Sequence, residues 1–550
     1  VTLFSQRGEQ SFAPAEKRVT VPVPLTHLGV ILNIALLAFF KFAGLLDIAR
    51  HGIVMPVALS FTTFTQIAFL LDMRSESDSA ESVADSTRNI RAAYPDEGRR
   101  NCSAEPDRIA FSDYLLHVLF FPKVLQGPVQ RFEETKALVL DRLHAGVHAE
   151  GLMEGVTLFT LGLAKKVLLA DTLGKAVALG YAQVTDLTRP DALVVMLIYP
   201  LQLYLDFSGY CDMGRGVAKM LSLDLADNFD HPYRALSVSD YWSRWHKSLT
   251  RFFTRYVYIP LGGSKRGTAR TCANIMIVFL LSGLWHGTGW GFLIWGAMQG
   301  AAIVVERILR KCVRGLRTPH QSAAPTAVSA PLRSAQNQGP PDLVRPQGEA
   351  KELATHLWLR RFATYLYIAV SLTFFRAPTV TGALQMLTQP FRALVNYVSP
   401  AIAETFYMDE IWYVVKALHL DGLRLAPYVC MAIVVVASFV VGVCAGGTKT
   451  PHQSAAPTAV SAPLRSAQNQ GPPDLVRPQG EAKEVVAGST ESVADSPRNI
   501  RAAYPDEGKR NRSAEPVQIL SMGRAALLGI LFAWCVISLS EVQTFLYVNF

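Results

Sequence analysis

NIMIVFLLSGLWHGTGWGFLIWGAMQG, Asn274 to Gly300, contains no Asp, Glu, Lys or Arg, and its one ionisable side chain is His286. Crossing a bilayer takes about 20 mostly apolar residues in a helix. The run therefore reads as two membrane segments, near 272–285 and 288–308, joined at the glycine-rich Gly287-Thr288-Gly289. The first is short, which suits a re-entrant helix or one buried behind others.

The same texture recurs outward in both directions. Apolar runs lie near 25–47, 54–72, 110–126, 152–180, 190–209, 358–375, 427–445 and 523–541. The chain of 550 residues is half AVILMFWYC and only 18% charged, against about 25% in soluble domains. A single soluble globule and a disordered chain are both excluded. A membrane β-barrel would instead show alternating segments of about ten residues. The expectation is an all-α polytopic membrane protein of nine or ten segments, with the lipid bilayer as its first partner. The net charge of +9 fits a positive-inside topology. No basic-aromatic module points to nucleic acid. The seven cysteines have neither CxxC nor zinc spacing, so no metal is expected. The first 20 residues are polar and show no signal-peptide pattern, and the chain starts with Val, which suggests an alternative start codon or a truncated N-terminus.

Three polar tracts interrupt this texture. Thr318–Glu352 recurs letter for letter as Thr450–Glu484. Glu81–Pro106 recurs as Glu491–Pro516 with changes at Thr87, Arg99 and Cys102. Near-identical, distant copies rich in Ala, Pro, Ser, Gln and Arg are not solenoid repeats, which stack contiguously on apolar faces. Such a composition buries too little apolar surface to offset chain entropy. The tracts read as inserted, disordered segments. The division is 1–73, N-terminal membrane helices; 74–107, inserted tract; 108–315, core with both histidine motifs; 316–355, inserted tract; 356–445, C-terminal membrane helices; 446–517, inserted tract; 518–550, last membrane helix.

From Ser237 to Arg270 the pattern changes. Tyr241, Trp242, Trp245, His246, Leu249, Phe252, Phe253 and Tyr256 share one helical face, with Arg244, Lys247, Arg251 and Arg255 opposite. This predicts one amphipathic helix in the membrane interface, with aromatics inward and its basic side toward lipid phosphates and water. From Tyr241 to Val305 there are seven Lys/Arg and no Asp or Glu, which assigns the segment to the cytoplasmic side.

GxSxG, HExxH and GxGxxG are absent. Gly262-Gly263-Ser264-Lys265 resembles a phosphate loop only loosely and follows no strand. Of the twelve histidines, most lie in loops, polar flanks or the repeats, and His117 reads as a satisfied core residue. His286 and His246 differ: each follows a tryptophan (Trp285, Trp245), and His286 lies in an uncharged membrane segment, where an ionisable group normally faces a polar cavity or does chemistry. Gly283 and Gly287 beside it leave room for a substrate to approach the backbone. A neutral imidazole accepts a proton from an alcohol near physiological pH, a suitable task being attack of a sugar hydroxyl on a thioester. Spacing alone does not say which histidine is the base. Asp206, Ser208 and Tyr210 place a carboxylate and two hydroxyls at the end of a span. Asp206 either orients an imidazole or pairs with a basic residue to fix two helices. Asn228 belongs to a turn or packing element, and residues 122–128 read as a broken, re-entrant segment.

The runs DFSGYCDMGRGVAK (206–219), NFDHPYRALSVSDYWSRWHKSLTRFFTRYVYIPLGG (228–263) and LSGLWHGTGWGFLIWG (281–296) resemble the membrane-bound O-acyltransferases, in the branch of the bacterial alginate O-acetyltransferases and their D-alanyl-lipoteichoic-acid relatives. PVALSFTTFTQIAFLLD (56–72), FFPKVLQGPVQRFEE (120–134) and FFRA (374–377) support it. The resemblance implies a ring of tilted helices around a thin centre pierced by a tunnel. It implies His286 as the catalytic histidine and His246 as the second active-site histidine, with Asp206, Ser208, Tyr210, Asn228, Trp242, Trp245 and Trp285 as candidate tunnel residues. It further implies an acyl thioester donor, acetyl-CoA or a carrier-bound acyl group, with no permanently bound cofactor. The implied partners are a polysaccharide acceptor and periplasmic polysaccharide-modifying proteins, and the implied location is the bacterial inner membrane. The resemblance also implies further helices before the segment matching 25–47, and the expectation is that they are missing here. Two other readings compete: a transporter or flippase with a histidine proton relay, and an inactive family member acting as a scaffold. A transporter often carries inverted repeats, and the only repeats here are the inserted tracts.

Overall fold

Thr188, Arg189, Pro190 and Asp191 start the longest helix. The Thr188 hydroxyl accepts from the Asp191 amide and the Asp191 carboxylate accepts from the Thr188 amide, each at 3.2 Å. Two of the amides that a helix start leaves without partners are thus satisfied reciprocally. The helix then runs through Met220, past Pro200, well beyond the expected end at 209.

In the computed structural model the described residues are 23–42, 56, 58–74, 111–124, 127–143, 148–316, 347–417, 419, 423–444 and 522–541. They belong to one unit, residues 1–447 with 521–550. In chain order the helices are α1 (Val23–Phe42), α2 (59–74), α3 (Phe111–Leu119), α4 (Phe121–Val124), α5 (Phe132–Leu143), α6 (Ala149–Ala164), α7 (Asp171–Ala182), α8 (Arg189–Met220), α9 (Val238–Arg244), α10 (Lys247–Phe253), α11 (Gly267–His286) and α12 (Trp290–Leu316). They continue as α13 (Gln347–Arg376), α14 (Val380–Arg392), α15 (Pro400–Glu404), α16 (Asp409–Ala417), α17 (Ala426–Cys444) and α18 (Met522–Ile537). No strand occurs among the described residues. The fold is all-α and polytopic. Among the described residues, five helices are long and apolar enough to cross a bilayer: α1, α8, α11, α12 and α17. The other expected segments are helical, but shorter, broken or charged; α18 is apolar over Gly523–Ile537. Of the tracts at 74–107 and 446–517, all but Arg74 lies outside the described residues, and of 316–355, residues 347–355 form the first turns of α13.

Close helix approach builds the frame. A Cβ on Gly162 of α6 would stand 2.6 Å from the Gly209 carbonyl oxygen of α8, and one on Gly209 2.8 Å from that of Gly162. Gly155 and Gly216 repeat the contact one heptad away, at 2.6 and 2.7 Å. Small residues let backbones touch where lipid supplies no hydrophobic drive between helices. Between α6 and α7, residues Lys165–Ala170 form a π-helical turn. It turns two lysines onto α8: Lys165 meets Asp212 at 2.5 Å, and Lys166 lies 2.7 Å from both Asp206 and Asp171. The stretch 152–180, expected as one apolar span, is therefore a bulged helix locked by buried ion pairs.

The stretch 237–270 is not the single amphipathic helix expected. It breaks at Trp245, which is extended, and His246, which is left-handed at φ 43°, ψ 54°. Helices α9 and α10 flank the break, and a π turn, Thr254–Tyr258, follows. Helical periodicity could not register the break, because its cause is tertiary: the Lys247 amide donates to the Asn228 carbonyl oxygen at 2.9 Å. The basic side does not wait for lipid alone. Arg244 pairs with Asp240 at 2.8 Å, Arg251 with Glu134 at 3.1 Å, and Arg255 with Asp72 at 2.9 Å. His117 is a buried core residue, as the sequence suggests, but only half satisfied: its Nδ1 lies 2.9 Å from the Thr135 hydroxyl, while its buried Nε2 has no hydrogen-bond partner among the described residues.

Candidate active site

His246 and His286 are 40 positions apart in sequence and line one narrow cavity. Its wall takes Leu203 from α8, Tyr241 and Trp242 from α9, Trp245 and His246 from the break, and Leu249 from α10. His286 from α11 and Trp295 with Gln299 from α12 form another side, and Ile368, Leu372 and Phe375 of α13 complete it. Both histidines are buried, His246 fully and His286 at 3% exposure.

His246 is held by Asn228. The Ser248 amide donates to Asn228 Oδ1 at 3.1 Å, which fixes that atom as the oxygen. His246 Nδ1 lies 3.3 Å from the same oxygen. An oxygen there accepts, so Nδ1 carries the proton and Nε2 carries the lone pair. The Asn228 amide nitrogen is directed at Cys211 Sγ, 3.8 Å away. Left-handed backbone at a non-glycine residue costs roughly 1–3 kcal/mol and persists where its surroundings over-determine it. Asn228 does so here, through its own carbonyl and its side chain together. Phe207 meets the imidazole edge-on at 4.8 Å, and Phe61 stacks on it at 6.3 Å.

His286 ends α11. Its ring is packed edge-on by Trp285 at 4.5 Å, Trp295 at 5.2 Å and Phe375 at 5.1 Å. The neighbouring glycines do not leave room for a substrate, contrary to expectation. A Cβ on Gly283 would stand 2.4 Å from the Phe292 carbonyl oxygen, and one on Gly287 2.2 Å from the Phe292 ring. They admit α12, whose Gly296 returns the contact at 2.4 Å from the Phe279 carbonyl oxygen. The hairpin α11–α12 thereby places His286 and Trp295 together.

Of the nine candidates named from sequence, His246, His286, Trp242 and Trp245 line the cavity, and Asn228 braces His246. Trp285 is turned toward α2, stacked on Phe64 at 5.1 Å. Asp206 lies in the ion-paired cluster with Lys166, so of its two readings the structure shows the pairing one. Ser208 and Tyr210 are buried in α8 and are not among the cavity's lining, to which that helix contributes Leu203.

Sequence reasoning missed Gln299, whose Oε1 accepts from Trp242 Nε1 at 3.1 Å and whose Nε2 donates to the Ser371 hydroxyl at 2.7 Å. A glutamine inside an apolar span was the available signal. It also missed Lys41, a lysine near the end of an apolar helix, which donates to the Trp285 carbonyl oxygen. No group of His, Cys, Asp and Glu among the described residues has the arrangement of a metal site. What the cavity offers is two imidazoles and one amide in apolar walls, a setting for proton transfer within a shielded reactant pair.

The chain is similar to several known proteins. The chain is 34% identical over 300 residues to the peptidoglycan O-acetyltransferase of Helicobacter pylori, covering 52% of this chain and 56% of that protein. It is 33% identical over 310 residues to the probable alginate O-acetylase AlgI of Azotobacter vinelandii, covering 53% and 56%. The teichoic acid D-alanyltransferase of Bacillus subtilis is 26% identical over 209 residues, 36% of this chain and 52% of that protein. The chain spans about half the length of the curated relatives it matches. The family model of the membrane-bound O-acyltransferases matches residues 24–331, which contain both histidines, and the chain belongs to that family.

Proposed function

We propose that this protein transfers an acyl group, acetyl, from a thioester donor on the cytoplasmic side of a bacterial inner membrane toward hydroxyls of an exported, alginate-like polysaccharide. The observation that carries the reading is the meeting of His246 and His286 in one cavity. Three relatives are named as a peptidoglycan O-acetyltransferase, a probable alginate O-acetylase and a teichoic acid D-alanyltransferase, which supports a polymer as the class of acceptor. Periplasmic proteins that pass the acyl group onward are part of the proposal, as is acetyl-CoA or a carrier-bound acetyl group as donor.

In this mechanism His286 takes the proton of the acceptor hydroxyl as its oxygen attacks the thioester carbonyl. The C–S bond then breaks, and the thiolate leaves with that proton. His246, with its Nε2 lone pair, positions the reactants. The apolar walls exclude water, which would otherwise hydrolyse the thioester. A general base contributes roughly 10²–10⁴-fold. His286→Ala should therefore reduce transfer of labelled acetyl in isolated membranes by about 10² or more, with the protein still inserted and folded. His246→Ala should also reduce it. Near-full turnover in His286→Ala would remove His286 from the mechanism.

A further inference from the structure

Lys41 stands next to the segment that carries His286, and the proposed chemistry does not use it. It stands in the last turn of α1 and donates to the carbonyl oxygen of Trp285. Its ammonium also lies 5.7 Å from the centroid of the Trp285 ring. No carboxylate pairs with it among the described residues.

Its acceptor is informative. Helix α11 ends at His286, and the Gly287 amide closes back on the Gly283 carbonyl. The carbonyl of Trp285 therefore has no amide four residues on within the helix, the usual condition of a last turn. In an apolar setting an unpaired carbonyl is costly, and a cation is favoured at a helix C-terminus by the helix dipole. Lys41 meets both requirements at the peptide that joins Trp285 to His286. The His286 imidazole itself is packed by three aromatic rings. Rings limit the tilt of an imidazole and leave its height along the helix axis to the main chain.

We infer that Lys41 is a positioning residue for acyl transfer: it anchors the Trp285–His286 peptide and so sets where the imidazole stands in the cavity. This inference rests on the proposed acyltransferase function. A displacement of about 1 Å at a reacting group costs on the order of 10²-fold in rate. Tying the last turn of α11 to α1 is thus a direct means of holding rate without touching substrate.

The test compares the full-length protein with Lys41→Met, which keeps the aliphatic stem and removes the donor, and Lys41→Arg, which keeps a cationic donor. Labelled acetyl transfer in membranes gives kcat and KM. Carbethoxylation of histidines by diethyl pyrocarbonate, mapped by mass spectrometry, gives a readout that needs no activity. Lys41→Met should lower kcat by roughly 10–100-fold with KM for the donor unchanged within about twofold. It should also change the modification rate of His286 several-fold while His246 keeps its wild-type rate. Lys41→Arg should restore most of both. Where Lys41→Met does not accumulate in the membrane, Lys41→Gln takes its place. Wild-type kcat together with a wild-type His286 modification rate would overturn the inference. Equal changes at His246 and His286 would also overturn it, since they would mean general loosening. If the unaltered protein transfers nothing, the acyltransferase reading fails, and the modification rates alone decide the role of Lys41.

Discussion

Asn228 Oδ1 lies 3.3 Å from His246 Nδ1 and at the same time accepts the Ser248 amide at 3.1 Å. One oxygen thus fixes both the tautomer of the imidazole and the left-handed turn that carries it. Asn228→Ala leaves two buried donors without that acceptor, which costs about 1–3 kcal/mol for each group so stranded. It should lower thermal stability in detergent and reduce acetyl transfer by about 10²-fold through misplacement of His246. Asn228→Asp keeps an acceptor there and should lose less of both. Equal activity in Asn228→Ala and the parent would separate the turn from the chemistry.

Lys166 should behave as a keystone of α6–α8 rather than as part of the cavity. It bridges Asp171 and Asp206 at 2.7 Å each, with all three side chains at most 9% exposed. Lys166→Met strands two buried carboxylates, and breaking a buried pair costs about 3–5 kcal/mol. The variant should fail to yield monodisperse protein in detergent. Adding Asp171→Asn and Asp206→Asn should recover much of the loss. A soluble, stable Lys166→Met would contradict the assignment.

Gly209→Ala would add a Cβ 2.8 Å from the Gly162 carbonyl oxygen. Backbone cannot swing away as a side chain can, so α6 and α8 must separate. Overpacking of this kind costs about 1–3 kcal/mol, read as a lower unfolding temperature in detergent. Gly529→Ala in α18, where nothing lies within 4 Å of the added Cβ, is the control. It should leave the unfolding temperature unchanged or raise it, since alanine favours helix over glycine by about 1 kcal/mol.

Arg251 tests the sidedness of the cavity. Its pair with Glu134 is largely exposed, and such pairs are worth about 0–1 kcal/mol, so Arg251→Cys should fold. In a cell with an intact inner membrane, an impermeant thiol reagent added from the periplasmic side should leave this cysteine unmodified. Rapid labelling from that side would invert the proposed direction of donor entry.

Composition and apolar periodicity suffice for the class of this protein. A chain half apolar, with uncharged runs such as Asn274–Gly300, has no stable state in water other than one that hides those runs, and lipid is the medium that fits their length. His286 stands out in the sequence for the same reason: an ionisable group in such a run is costly. The meeting of His246 with His286, the break at Trp245–His246, the use of Asp206 by Lys166 and the role of Asn228 were settled by the tertiary structure. Each depends on partners 18 to 40 positions away, and a helical wheel registers only neighbours within a few turns of one helix. The glycines beside His286 show the same limit. Sequence marks them as places where something comes close, and only the packing of α12 shows that what comes close is Phe292.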